Sequence, residues 1–299
     1  MKLLARFYNS PTFMTWFSFS AKSLSILVVL PLILSSFSKS EISLWYLFNI
    51  LFSFQLLADL GFGSTFSRVI SYSMAGLVKL ENIGNDETII KTKDKKPNWS
   101  LILALNKKMS KIFLLVAIIF VLFITITSYF FLDDPIERLE YPKYGYYLLF
   151  FIILVLFIKV YSRRYISFIT GVNEVALLRR WEGLIIYLQI ISSIIVLVLT
   201  HNFYYLVINN QIWVLIGVIN TYFLQKRILK KYNSSILDEA KLIDIPQKSF
   251  ITHVFRPAWK SGVGTLSSYG LNQFSSFVLI DYLIEGDLVV YLISFRFIV

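Results

Sequence analysis

The chain has 299 residues, of which 57% are hydrophobic and 16% charged, with a formal net charge of +11. Soluble domains are about 45–50% apolar and about 25% charged, and roughly 18 apolar residues in a row suffice to cross a ~30 Å hydrocarbon core as a helix. The long apolar blocks therefore exclude a soluble globular protein and describe an integral membrane protein, while the absence of cysteine excludes disulfides and thiolate metal sites.

In chain order, spans are expected at 13–37, 42–68, 110–132, 145–169, 183–200, 203–224 and 261–284, with the start of an eighth at 288–299. The first block runs past Ser36 without a small-residue cleavage pattern, so no cleavable leader is expected. Lysine and arginine collect in alternate connections. The segments 79–111, 159–180 and 226–260 are basic, whereas "SKSE" (38–41), "DDPIERLEYPK" (133–143), "HN" (201–202) and "EGD" (285–287) are short or acidic. By the positive-inside rule the N-terminus and the basic connections are cytoplasmic. The charge thus reads as a topology signal and not as a nucleic-acid surface. On this topology "NWS" at Asn98 and "NSS" at Asn233 are chance matches to the glycosylation acceptor pattern.

Within "IPQKSFITHVFRPAWKSG" (245–262), Phe250, Ile251, Val254 and Phe255 have helical spacing. An amphipathic helix on the inner membrane surface, leading into the seventh span, is expected there. A faint repeat pairs "ISLWYLFNILF" (42–52) with "DLVVYLISFRF" (287–297), Tyr46 aligning with Tyr291. On that reading the seventh span opens a second copy of the fold. The last segment would make a helix only ~18 Å long, so a C-terminally incomplete sequence is expected.

Ionisable side chains inside a span cost ~2.5–3.5 kcal/mol on insertion scales and usually face a protein interior or a watery cavity. Counting depth puts Lys22 in the first span and Asp59 in the second at about the same level, ~12–14 Å from the inner face. They are expected to pair, either to fix helix register or to serve a transport route. Gly61 and Gly63, spaced GxG, mark a bend or hinge, with Arg68 at the inner mouth. Asn209, Asn210 and Gln211 follow one another in the sixth span, so at least one must face an interior. Asn272 and Gln273 lie mid-membrane, Asp281 nearer the outer end, and Arg296 inside the incomplete eighth span. Lys159, Arg163 and Arg164, at the inner end of the fourth span, read chiefly as positive-inside anchors. The two histidines, His201 and His253, stand far apart, and neither a phosphate loop nor a metal-ligand pattern occurs. No catalytic constellation, metal or cofactor is expected, and the chain does not read as an enzyme.

"LLADLGFGSTFSRVISY" (56–72) resembles the DLG-x-G…R stretch of bacterial polysaccharide flippases, the Wzx-type O-antigen and exopolysaccharide transporters of the MATE-like superfamily. "NQFSSFVLIDYLIEGDLVVYLISFRFI" (272–298) resembles the hairpin of the seventh and eighth spans in that family. The resemblance implies an all-α polytopic bundle of the bacterial cytoplasmic membrane. Residues 1–230 would form a first six-helix lobe, 231–260 a linker with the interfacial helix, and 261–299 the start of a second lobe. It implies movement of an undecaprenyl-diphosphate-linked oligosaccharide between leaflets by alternating access, driven by an ion gradient. The partners implied are that substrate, membrane lipids and, beyond them, other polysaccharide-assembly proteins. Lys22, Arg68 and Arg296 become the cations for the diphosphate; Asn209, Asn210, Asn272 and Gln273 become donors and acceptors for sugars. Asp59 and Asp281 become the coupling carboxylates.

Other readings stay open. A multidrug exporter of the same superfamily would be expected to carry an acid-rich cavity, and a peptidoglycan-precursor flippase a denser set of arginines in its first spans. A polysaccharide polymerase or glycosyltransferase would need larger outer loops, and a scaffold protein would have no use for intramembrane charges.

Overall fold

The computed structural model describes residues 7–83, 96–233 and 245–267, together with 279, 287, 290 and 291. All regular structure in the described residues is helical. The helices are α1 (Pro11–Ser36), α2 (Lys39–Ser53), α3 (Gln55–Ala58), α4 (Phe62–Met74), α5 (Trp99–Phe131), α6 (Asp133–Glu137), α7 (Pro142–Gly171), α8 (Val175–Thr200) and α9 (Phe203–Asn233). A short α10 (Gln247–Phe250), a π-helical turn (Ile251–Phe255) and α11 (Arg256–Thr265) follow.

Five of these, α1, α5, α7, α8 and α9, are long and apolar enough to cross a bilayer. The expected second span is instead a broken helix, α2–α3–α4. The expected seventh and eighth spans lie for the most part outside the described residues, and Asn272, Gln273, Asp281 and Arg296 lie wholly outside them. The long helices also outrun their apolar blocks. α5 begins at Trp99, α8 at Val175, and α9 continues to Asn233, because basic residues such as Lys107, Arg179 and Lys230 extend a helix beyond its apolar block as readily as leucine does.

Local chemistry sets the helix ends. Ser10 caps α1, accepting from the Phe13 N–H at 3.4 Å, and Pro11 needs no partner for its missing N–H. "SKSE" is a capping box: the Ser38 N–H donates to Glu41 Oε2 at 2.9 Å and the Glu41 N–H to Ser38 Oγ at 3.4 Å. Asn98 caps α5 through the Leu101 N–H at 3.1 Å and donates its amide to the Leu77 carbonyl at 3.0 Å. Its side chain is therefore already committed to the fold.

α7 stands at the centre, packed against α4, α5 and α9; α8 packs against α1 and α9. Small residues allow the α4–α7 approach. A Cβ at Gly171 would lie 2.7 Å from the Ile70 side chain, and Ser67 and Ser71 donate across to the carbonyls of Ser167 and Gly171 at 2.9 and 3.0 Å. On α5, Phe113, Ala117 and Ile124 are buried, while Leu115, Ile119 and Leu122 are exposed. A helix apolar on both its buried and exposed sides suits a lipid surround.

The expected bend is real and sharp. Leu60 and Gly61 have φ of 44° and 71°, and the chain leaves the helical path between α3 and α4. The Asp59 carboxylate accepts the Gly63 N–H at 3.0 Å, closing the N-terminal turn of α4 with a negative charge where the helix dipole favours one. The segment 247–265 buries Phe250, Val254 and Ala258 and exposes Ile251, Phe255 and Trp259. Phe250 lies 6.1 Å from Phe66 and Phe255 5.7 Å from Phe62, ring to ring. The expected amphipathic helix is present, but one side of it covers α4.

Candidate functional site

A cavity of about 350 Å³ opens among α1, α3, α7, α8 and α9. Helical spacing brings its lining together: Lys159, Arg163 and Ile166 from α7; Arg179, Glu182, Ile186 and Gln189 from α8; Trp213, Gly217, Asn220 and Thr221 from α9. Lys22 enters from α1 and Gln55 from α3. Among these lining residues four are cationic and Glu182 is the single carboxylate.

Glu182 bridges two of the cations. Oε1 meets Lys22 Nζ at 2.8 Å, and Oε2 accepts from Arg179 Nη1 at 2.6 Å. Arg163 reaches Asp59 Oδ2 at 3.8 Å, so the Asp59 carboxylate serves the α4 turn with one oxygen and the cavity wall with the other. Lys159 meets no carboxylate within ion-pair distance among the described residues. The Lys22 and Glu182 side chains remain 46% and 30% exposed, so the pair opens onto the cavity. Open ion pairs contribute about 1 kcal/mol or less, against an insertion cost of ~2.5–3.5 kcal/mol per charge. Stability alone does not account for four cations here. An electropositive, partly exposed recess has the charge to accommodate an anion.

The expected Lys22–Asp59 pair is replaced by two others, Lys22–Glu182 and Asp59–Arg163. Equal depth did not make them neighbours, because α1 packs against α8 and the break after Ala58 turns Asp59 toward α7. Arg68 is exposed on α4 and does not line the cavity. Asn209 donates to Ser193 Oγ at 3.1 Å and Asn210 accepts from Gln189, while Trp213 Nε1 donates to Ser192 Oγ at 2.6 Å. These contacts form a polar seam between α8 and α9, and the amides hold helices together there. Arg164, next to Arg163, turns away from the cavity. Its guanidinium lies 4.2 and 4.6 Å from the ring centres of Tyr161 and Tyr165 and donates to Ser110 Oγ.

Sequence reasoning passed over Lys159, Arg163, Arg179 and Glu182 as cavity residues. Reading 159–180 as a connection hid the three cations, since only 172–174 separate α7 from α8, and Glu182 fell just ahead of the span expected from 183. The signal was the period: 159, 163 and 166 share one helical face, as do 182, 186 and 189.

No protein-family model, no curated protein and no solved structure matches the chain.

Proposed function

We propose that this chain is a transporter of the bacterial cytoplasmic membrane that moves an undecaprenyl-diphosphate-linked oligosaccharide from the inner to the outer leaflet by alternating access. The observation that carries this reading is the cavity, where Lys22, Lys159, Arg163 and Arg179 face a single lining carboxylate amid helices long enough to span a bilayer. A diphosphate crossing hydrocarbon needs charge-assisted donors to replace its water, and arginine and lysine supply them. Gln55, Asn220 and Thr221 offer hydrogen bonds to sugar hydroxyls, and Trp213 adds an aromatic wall. On this reading the chain forms one wall of a MATE-like route, and an ion gradient supplies the energy. A multidrug exporter for cations fits poorly, because a cationic substrate would meet four like charges.

The test is binding of undecaprenyl diphosphate and of undecaprenol to the purified full chain in nanodiscs. The diphosphate is expected to bind, the neutral alcohol to bind much more weakly, and Lys159→Gln with Arg163→Gln to erase the difference. Equal binding of both lipids would remove the reading.

A further inference from the structure

We infer that Glu182 is a displaceable internal anion. It holds the site between Lys22 and Arg179 that the ligand's phosphate takes, and so makes the cavity selective for polyanions over monoanions. This rests on the anion-transport reading above and assigns to one residue the control of which anions enter.

The geometry is that of an occupied site. Each Glu182 oxygen engages one cation, Lys22 at 2.8 Å and Arg179 at 2.6 Å, much as two oxygens of one phosphate would. The three groups come from two helices and open onto the recess where Lys159 and Arg163 also stand. Among the described residues, the other carboxylate paired with one of these cations is Asp59, which is tied to Arg163 and to the Gly63 N–H, outside the lining of the cavity.

The α1–α8 contact does not depend on this bridge. A Cβ at Gly183 would lie 2.6 Å from the Phe17 ring and 3.4 Å from Ser18 Cα, so the two backbones are pressed together one residue from Glu182. Ser18 and Ala21 on the facing side of α1 are fully buried. This close backbone packing holds the helices together without the carboxylate, and the amides of Gln55 and Asn220 line the same cavity.

Charge then decides which ligand wins. A monoanion offers Lys22 and Arg179 no more than Glu182 already gives, and it must also leave water. A doubly charged group exceeds the resident carboxylate and additionally reaches Lys159 and Arg163. At the position between Lys22 and Arg179 the carboxylate thus acts as a threshold that chloride or acetate does not cross.

The test titrates inorganic pyrophosphate and acetate into the purified full chain and into Glu182→Gln, with thermal melting to establish that the variant folds. The native chain is expected to bind pyrophosphate and not acetate. Glu182→Gln is expected to bind pyrophosphate at least about tenfold more tightly and to acquire acetate binding, a gain that Lys22→Gln in the same background abolishes. Glu182→Asp keeps the charge but shortens the reach, and an intermediate gain is expected from it. Pyrophosphate binding by the native chain with no gain in either variant would overturn the role of Glu182 and leave the anion cavity standing. Absence of pyrophosphate binding in every form would overturn both.

Discussion

The carboxylate of Asp59 fills the space that a side chain at Gly63 would need. A Cβ there would lie 2.6 Å from Oδ1 and 2.7 Å from Oδ2, while the Gly63 N–H donates to Oδ1 at 3.0 Å. The two glycines of "DLGFG" therefore have separate duties. Gly61 takes the left-handed turn, and Gly63 admits the carboxylate that caps the helix after it.

Gly63→Ala and Asp59→Ala should consequently be coupled. Alone, Gly63→Ala evicts the cap and destabilises by about 1–2 kcal/mol. In an Asp59→Ala background the collision is gone, and alanine's better helix propensity, worth up to ~1 kcal/mol, makes the same change neutral or stabilising. Thermal unfolding of the four forms in detergent reads the sign reversal. Additive losses would show that the carboxylate does not occupy that space.

The break also carries the contact with α11. A Cβ at Gly61 would lie 2.5 Å from the Ala258 carbonyl oxygen, and one at Gly262 would lie 2.6 Å from that of Leu60. Gly262→Ala is the sharper test, because Gly262 is helical and alanine there would otherwise help by up to ~1 kcal/mol. It is expected to loosen the 247–265 segment, seen as faster hydrogen exchange across α10 and α11. Unchanged exchange would mean the two backbones do not press together at this point.

Much of this architecture was legible in the sequence, and the failures have two causes. Apolar block length located the five long helices, and the glycines located the break. The cavity escaped because lysine and arginine between apolar blocks were assigned to connections, although helices such as α7 and α8 run straight through them. Depth counting gave Lys22 and Asp59 the right kind of environment and the wrong partners, since one sequence carries no information on which helices are neighbours. Of the consecutive amides at 209–211 at least one is expected to face an interior; Asn209 and Asn210 meet α8 in the polar seam, and Gln211 is buried.

Arg163 and Arg164 are adjacent in sequence and should behave oppositely on substitution. Arg163 lines the cavity, whereas Arg164 lies between Tyr161 and Tyr165 and bonds to Ser110 on α5. Arg163→Gln is expected to weaken undecaprenyl diphosphate binding even in the protein that stays folded, with some fall in melting temperature because Asp59 loses its ion-pair partner. Arg164→Gln gives up cation–π contacts worth about 0.5–2 kcal/mol each, lowering the melting temperature while the remaining folded protein binds normally. Paired melting and binding measurements separate the two, and a binding defect with unaltered melting in Arg164→Gln would contradict its placement.

Gly217 provides a way to block the cavity without disturbing its charges. It lines the recess from α9, and a Cβ built there meets nothing within 4 Å. Gly217→Leu therefore places a branched side chain in open space while improving helix propensity by close to 1 kcal/mol. The variant is expected to melt at or above the native temperature and to lose most binding of undecaprenyl diphosphate, because its side chain occupies volume between Trp213 and Asn220 on the same wall. Gly217→Ala, adding only a methyl group, should fold equally well and bind nearly as the native chain does. Graded loss from alanine to leucine at constant stability would identify the recess as the place where the ligand sits. Full binding by the leucine variant would place the ligand elsewhere, whatever the charge substitutions had shown.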